Sequence, residues 1–374
     1  MTLTRSAPPF RVDHVGSLIR PPALMEAFHR WEAGEMSSEA LRALPDRYIA
    51  DAVALQERVG LQAVTDGEFR RRSWQRGFID AVGGFSIKPG PLFFRNASGP
   101  VKPIPAMFIE ARLERSRGVV TEDYEALKKL TTRTPKMTLP APSAFHLGLF
   151  SRFADPAIYP DIDEAFDDLI AIYRAEIAEL ARLGCTFLQL DEVGLPALCD
   201  PHNREIARQN GEDPDAIVDL YLDLNRRILA DKPAGMAVTM HLCRGNQAGL
   251  WLAAGGYEPI AERLFTAPGI DGFLLEYDSP RAGDFAPLRH LAKGKTALLG
   301  VVSTKDPHIE SADFLKQRID EAAHHAPADS VGICPQCGFA SSISNWNVTA
   351  NPMTEDVQRR KLERLVEVAT DLWG

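Results

Sequence analysis

Two short motifs carry residue types that bind soft divalent metals. His241-Leu-Cys243 closes one apolar run, and Cys334-Pro-Gln-Cys337 closes another near the C-terminus. On a strand, residues two apart point to the same face, so the His241 imidazole and the Cys243 thiolate can converge on one ion. A tetrahedral site needs two more donors. Later run ends offer Glu276 and the Cys334/Cys337 pair. Imidazole, thiolate and carboxylate together suit zinc better than magnesium or calcium. Taken alone, the residues leave alternatives open. His-x-Cys is a weak motif, and the cysteine pair also reads as a redox couple or as two buried thiols, although it does not open a helix in a thioredoxin-like unit.

Donors from separate runs need a scaffold that brings the ends of those runs together. Short apolar stretches recur at residues 12–17, 63–66, 136–140, 186–191, 237–242, 272–277, 296–302 and 330–334, most rich in Val, Ile, Leu and Phe. Such near-continuous apolar runs are what strands covered on both faces show. Helical patterns lie between them. Residues 165–183 end at Gly184, a plausible C-cap; 217–229 read similarly; 352–372 open with a proline. Eight strands alternating with helices predict a (β/α)8 barrel, with an open doubly wound sheet as the alternative. Reactive residues then sit where barrels place them, at strand C-termini: His14–Ser17, Thr65–Arg71, Gln189–Glu192, His241–Asn246, Glu276–Asp278 and Cys334–Gly338. Residues 85–135 fit neither pattern. They are rich in Pro, Gly and Arg, and hold two apolar runs, 91–94 and 106–113, that can form a hairpin. This span reads as an insertion between the second and third strands, either a lid or a passive excursion. The whole chain, 1–374, reads as one domain.

Composition narrows the class. Hydrophobic residues make up 45% and charged residues 25%, the balance of a soluble globular protein. The net charge of −9 argues against a general nucleic-acid binder. No secretory signal opens the sequence, and no stretch of about 18 apolar residues is present to span a membrane. Five cysteines without a signal fit a reduced, cytoplasmic protein. The expected partners are small molecules; oligomeric state, a homo-oligomer included, is left open.

The motifs DHVGSLIRP, AVTDGEFRR, LQLDE, MHLCRGN, FLLEYD, LGVVSTK and CPQCGFAS, in this order along nearly the whole chain, resemble those of the cobalamin-independent methionine synthase family, and more closely its short, single-barrel members. The resemblance implies a (β/α)8 barrel and a catalytic zinc held by His241, Cys243, Glu276 and Cys337. It leaves Cys334 as a neighbour. It further implies that Glu68 and Asp191 hold the ammonium group of an amino-acid substrate, while Gly16 and Ser17 hold its carboxylate. By sequence alone, Asp191 or Glu192 also reads as a helix cap, and Glu68 as a partner of Arg70 or Arg71.

The implied activity is methyl transfer to the thiol of homocysteine, from methyltetrahydrofolate or another donor, giving methionine. Two departures bear on the donor. Full-length members carry an extra N-terminal barrel that helps bind the folate polyglutamate tail, and the family's proton-donating histidine is matched here by Lys305, with His308 nearby. Lys305 and Asp278 are the candidate acids, with Asp306 a third. Trp74, Phe78, Trp251 and Phe339 are candidates for contacting a flat donor, Trp251 foremost. Arg20, Arg70, Arg71 and Arg244 either meet an anionic substrate or face solvent. The competing readings are a zinc-dependent alkyl transferase acting on coenzyme M and an epoxide, a binding protein with a structural zinc, and a porphyrin-type decarboxylase needing an Arg-rich cavity.

Overall fold

The computed structural model describes residues 5, 7–247, 249–340 and 353–374. Its frame is a six-stranded parallel sheet, built from β5 (Met137–Pro140), β6 (Phe187–Glu192), β7 (Ala237–Leu242), β8 (Gly272–Glu276), β9 (Thr296–Val302) and β10 (Val331–Pro335). Spatial order follows chain order, each strand pairing with the next in parallel. Every residue of β6, β8, β9 and β10 is buried, as in strands covered on both faces; their polar residues, Gln189, Asp191, Glu192, Glu276 and Thr296, are buried with them.

Two expected strands are shorter than their apolar runs. β1 is only Ala63–Val64, paired in parallel with β4 (Thr134–Pro135). Beyond Val64, the Thr65 hydroxyl and the Asp66 carboxylate accept the N–H groups of Gly67 and Glu68, ending the ladder in a side-chain turn. Residues 12–17 form a single parallel bridge, Val12 to Ile333, rather than a strand. Asp13 takes the N–H of His14, and Gly16 sits at φ +144, so the ladder cannot continue. This segment still bridges β10 and the β1 turn. It reaches β10 through Val12, and it reaches the β1 turn through the Leu18 N–H to Gly67 carbonyl bond and the Thr65 hydroxyl on the Gly16 carbonyl.

The helices lie where the periodicity puts them. Helix Ile162–Arg182 is capped by the Asp161 side chain, buries Leu169, Ile170, Tyr173, Ile177 and Leu180, and is followed by Gly184 at φ +95. Helix Pro214–Ile228 is capped by Asp213. The last helix starts at Glu355 under a Thr354 cap; Pro352, expected to open it, lies outside the described residues. Among the described residues no helix is long and apolar enough to cross a membrane.

Within residues 85–135, β2 (Phe85–Asn96) and β3 (Gly99–Ile109) form an antiparallel hairpin. It folds back over the C-terminal ends of the parallel strands. Arg95 and Trp251 exchange two backbone hydrogen bonds, at 2.7 and 3.1 Å, and the Arg95 guanidinium pairs with Asp200. Close approach at its base depends on Gly148, where a Cβ would stand 2.4 Å from that of Ala106.

A buried ion pair lies at the centre. Lys136 Nζ donates to Asp13 Oδ2 at 2.8 Å, to the His14 carbonyl, and to Gln189 Oε1 at 3.2 Å, with no exposure of the lysine side chain. Burial raises the Asp13 pKa against the opposing pull of Lys136. Removing one partner of such a pair leaves an uncompensated buried charge. Lys136→Met is therefore expected to destabilise the protein by about 3–5 kcal/mol, with Asp13→Asn/Lys136→Met recovering much of the loss. Urea unfolding measures both, and a single-variant cost near zero would show that the pair does not hold the interior.

Candidate metal and substrate site

The C-terminal ends of the parallel strands converge on one group of soft donors. His241 is in β7, Cys243 lies just past its end, and Cys337 follows β10. Their ligating atoms all lie within 4.8 Å of one another. Cys337 Sγ donates to Cys243 Sγ at 3.8 Å. Both ring nitrogens of His241 are buried, with no hydrogen-bond partner among the described residues. Orphaned imidazole nitrogens beside two thiols are costly in a folded interior unless something binds them, and this donor set fits a thiophilic divalent metal.

The electrostatics agree. The bond from Cys337 holds the Cys243 thiol well below the usual range, and the same bond together with burial pushes Cys337 up. Burial disfavours the His241 cation, yet the neighbouring Cys243, then Asp191 and Glu276, hold its pKa above the ordinary value.

Glu276, the fourth ligand implied by the resemblance, ends β8 and is fully buried. Its carboxylate is already engaged. Oε2 accepts the Arg244 N–H at 2.6 Å, while Oε1 accepts from Arg281 at 3.2 Å and Lys305 at 3.3 Å. Burial alone would raise its pKa; Lys305, Arg244 and Arg281 bring it down to about 2. Cys334 is separate from this group, packed with Val15, Leu274 and Leu298.

Above the thiols opens a cavity of ≈ 890 Å³ that includes its mouth. Ser17, Glu68, Asp191, His241, Cys243 and Cys337 line its polar part. Gly16 is not in the wall, but a Cβ there would lie 2.7 Å from Glu68 Oε1, so glycine makes room for that carboxylate. Glu68 itself is held at φ +62, a conformation uncommon outside glycine that persists where the surroundings over-determine it. Here they do. Asp66 accepts its N–H, Arg20 donates to its carbonyl, and Arg71 and Thr138 bind its carboxylate at 2.6 and 3.1 Å. Asp191 accepts from Gln189 Nε2 at 2.7 Å, a bond that connects it to the buried Lys136. Burial and the adjacent Glu68 push the Asp191 pKa to about 7. Glu192 points elsewhere, bound by Ser143, the Leu195 N–H and Asn225.

Residues 11–358 match the model of the cobalamin-independent synthase catalytic domain. The chain belongs to that family. YxjH of Bacillus subtilis (strain 168) is 35% identical to it over 369 residues, spanning 98% of this chain and 95% of the relative. The structure of a putative vitamin-B12 independent methionine synthase from Listeria monocytogenes superposes with a TM-score of 0.77 at 30% identity, covering 98% and 99% of the two chains. That of a B12-independent methionine synthase from Shewanella sp. W3-18-1, in complex with selenomethionine, shares the fold with a TM-score of 0.73 at 20% identity over 97% of each chain. Membership of the cobalamin-independent synthase family makes this chain an enzyme of the methyltransferase class.

The remaining candidates take varied places. Trp74 lines the cavity; Trp251 does not, its ring being covered by the Arg281 guanidinium at 4.7 Å. Phe78 stacks on Tyr173 at 4.9 Å in the core, and Phe339 is buried there too. Asp278 accepts from Ser303, while Asp306 and His308 are exposed in a loop where Asp306 accepts the His308 N–H. Arg20 and Arg244 are buried in carbonyl-binding roles, and Arg70 pairs with Asp46, Asp66 and Asp123. Sequence reasoning did not single out Phe94, Ile104 and Pro105, which the hairpin contributes to the wall; the two apolar runs were the available signal.

If the three donors act as one site, Cys243→Ser and Cys337→Ser each lose metal that the unaltered protein retains through dialysis. Elemental analysis measures this, and full retention in either variant would break up the cluster as a site.

Proposed function

We propose that this chain is a zinc-dependent S-methyltransferase that activates the thiol of homocysteine for methyl transfer from methyltetrahydrofolate or another methyl donor, giving methionine. The observation that carries the reading is the His241/Cys243/Cys337 group at the floor of a cavity whose wall also holds Glu68 and Asp191. His241, Cys243 and Cys337 would hold the metal, with Glu276 as the fourth candidate ligand. Bound zinc favours the thiolate form of a coordinated thiol while leaving it nucleophilic.

The chain's own residues supply position. Glu68 and Asp191 present oxygens to an ammonium group, and Ser17 presents a hydroxyl to a carboxylate. Arg71 neutralises part of the charge on Glu68, so the pair stays compatible with a single ammonium cation. Trp74 and the hairpin residues Phe94 and Ile104 form the apolar wall against which a donor lies, and their closure excludes water. Lys305 and Asp278, which lie outside the cavity wall, are the candidates for protonating the departing group. We read the parallel sheet, with β1 and the 12–17 segment, as a closed (β/α)8 barrel forming one domain. The hairpin is then a lid at its catalytic end.

The alkyl-transferase alternative asks the same site to accept coenzyme M, whose sulfonate needs cations. No Lys or Arg lines the cavity among the described residues, and two carboxylates do. Homocysteine added to zinc-loaded protein is expected to add a zinc–sulfur bond in X-ray absorption, and coenzyme M is expected to add none. Asp191→Ala should weaken homocysteine binding about tenfold or more, the scale of one lost charge-assisted hydrogen bond. A new sulfur ligand with coenzyme M alone would replace this reading by the alternative, and no change with either thiol would leave the metal structural.

A further inference from the structure

The interactions around Glu276 point to a role for Lys305 and Arg281 that acts through this carboxylate. Glu276 Oε1 lies 3.3 Å from Lys305 Nζ and 3.2 Å from Arg281. Oε2 is bound by the N–H of Arg244, the residue after Cys243. The carboxylate is thus not part of the His241/Cys243/Cys337 group whose ligating atoms lie within 4.8 Å of one another, and both its oxygens accept from other side chains and backbone. The two cations are themselves fixed. Arg281 lies over the Trp251 ring, and the lysine side chain is only 10% exposed. The Lys305 N–H binds Ser303 Oγ, which donates to Asp278. Two part-buried cations facing one carboxylate form a ready receptor for it.

We propose that Lys305 and Arg281 form a docking place for Glu276 that competes with metal ligation by this carboxylate and keeps one coordination position available to the substrate thiol. The inference rests on the zinc–thiol reading above. The exchange would balance in charge: homocysteine would release its thiol proton to solvent and bind as thiolate in place of one carboxylate, which would then pair with Lys305 and Arg281. A neutral residue at position 305 would weaken the docking place and favour Glu276 on the metal. Lys305 is then a positioning residue, and its loss should strengthen metal binding, the opposite of what loss of a merely structural contact does.

The test compares zinc affinity, by competition with a chromophoric chelator, and homocysteine affinity of the zinc-loaded protein. It uses the full-length chain, Lys305→Met, Lys305→Arg and Lys305→Met/Glu276→Gln. Expected for Lys305→Met is a zinc Kd lower by roughly 10–100-fold, the range over which groups around metal ligands act, together with weaker homocysteine binding. Lys305→Arg should stay near the parent, and the gain should vanish in the double variant. Zinc binding equal or weaker in Lys305→Met, or a gain that survives Glu276→Gln, overturns the proposal. Should Lys305→Met not fold, as judged by circular dichroism, Arg281→Gln carries the same expectation and the same refutation. Failure of the parent protein to bind zinc, or to gain a sulfur ligand from homocysteine, instead overturns the zinc–thiol reading, and this inference falls with it.

Discussion

Strand direction is the constraint on which the rest depends. Because β5 to β10 all run parallel, their C-terminal ends emerge on one side, and side chains far apart in sequence become neighbours there. Asp191 of β6 is in register with His241 of β7. Adjacent strands stand about 4.8 Å apart, so the Asp191 carboxylate and the His241 imidazole come side by side without any dedicated loop. Cys243 and Cys337 then need only short excursions past β7 and β10. An antiparallel sheet of the same residues would divide these groups between two rims.

Concentrating polar groups at one end places charge inside a dry interior, and the structure offsets this by pairing. Lys136 meets Asp13, Arg71 meets Glu68, and Glu276 meets Lys305 and Arg281. Among the described residues, neither ring nitrogen of His241 has a hydrogen-bond partner, and Asp191 accepts from the neutral amide of Gln189 at 2.7 Å. Both face the cavity. A metal and a cationic ligand would satisfy them.

Much of this was legible in the sequence, for identifiable reasons. β7 and β9 have the expected bounds because strands covered on both faces are mostly apolar. The convergence of His241 and Cys243 was legible because residues two apart share a face on a strand, although Cys243 falls just past the end of β7. The first two apolar runs promised longer strands than exist, since Asp13, Thr65 and Asp66 divert backbone donors to side chains, a local competition that apolarity does not report. The hairpin was visible as two runs, but its seat on Trp251 was not, because a backbone pairing between distant loops leaves no trace in residue type. The arginines were ambiguous for a similar reason. Arg20 and Arg244 spend their donors on carbonyls, which every residue has.

The bridge from Val12 to Ile333 has a consequence for the order in which the molecule can be made. Val12, Ser17 and Phe339 belong to opposite ends of the chain, yet the Phe339 N–H binds the Ser17 carbonyl beside Cys337. A nascent chain emerging from the ribosome has His241 and Cys243 before it has Cys337, and Val12 has no strand to pair with until β10 appears. Cys337 and the backbone contact that holds Ser17 therefore take their places together, after β10 has been made.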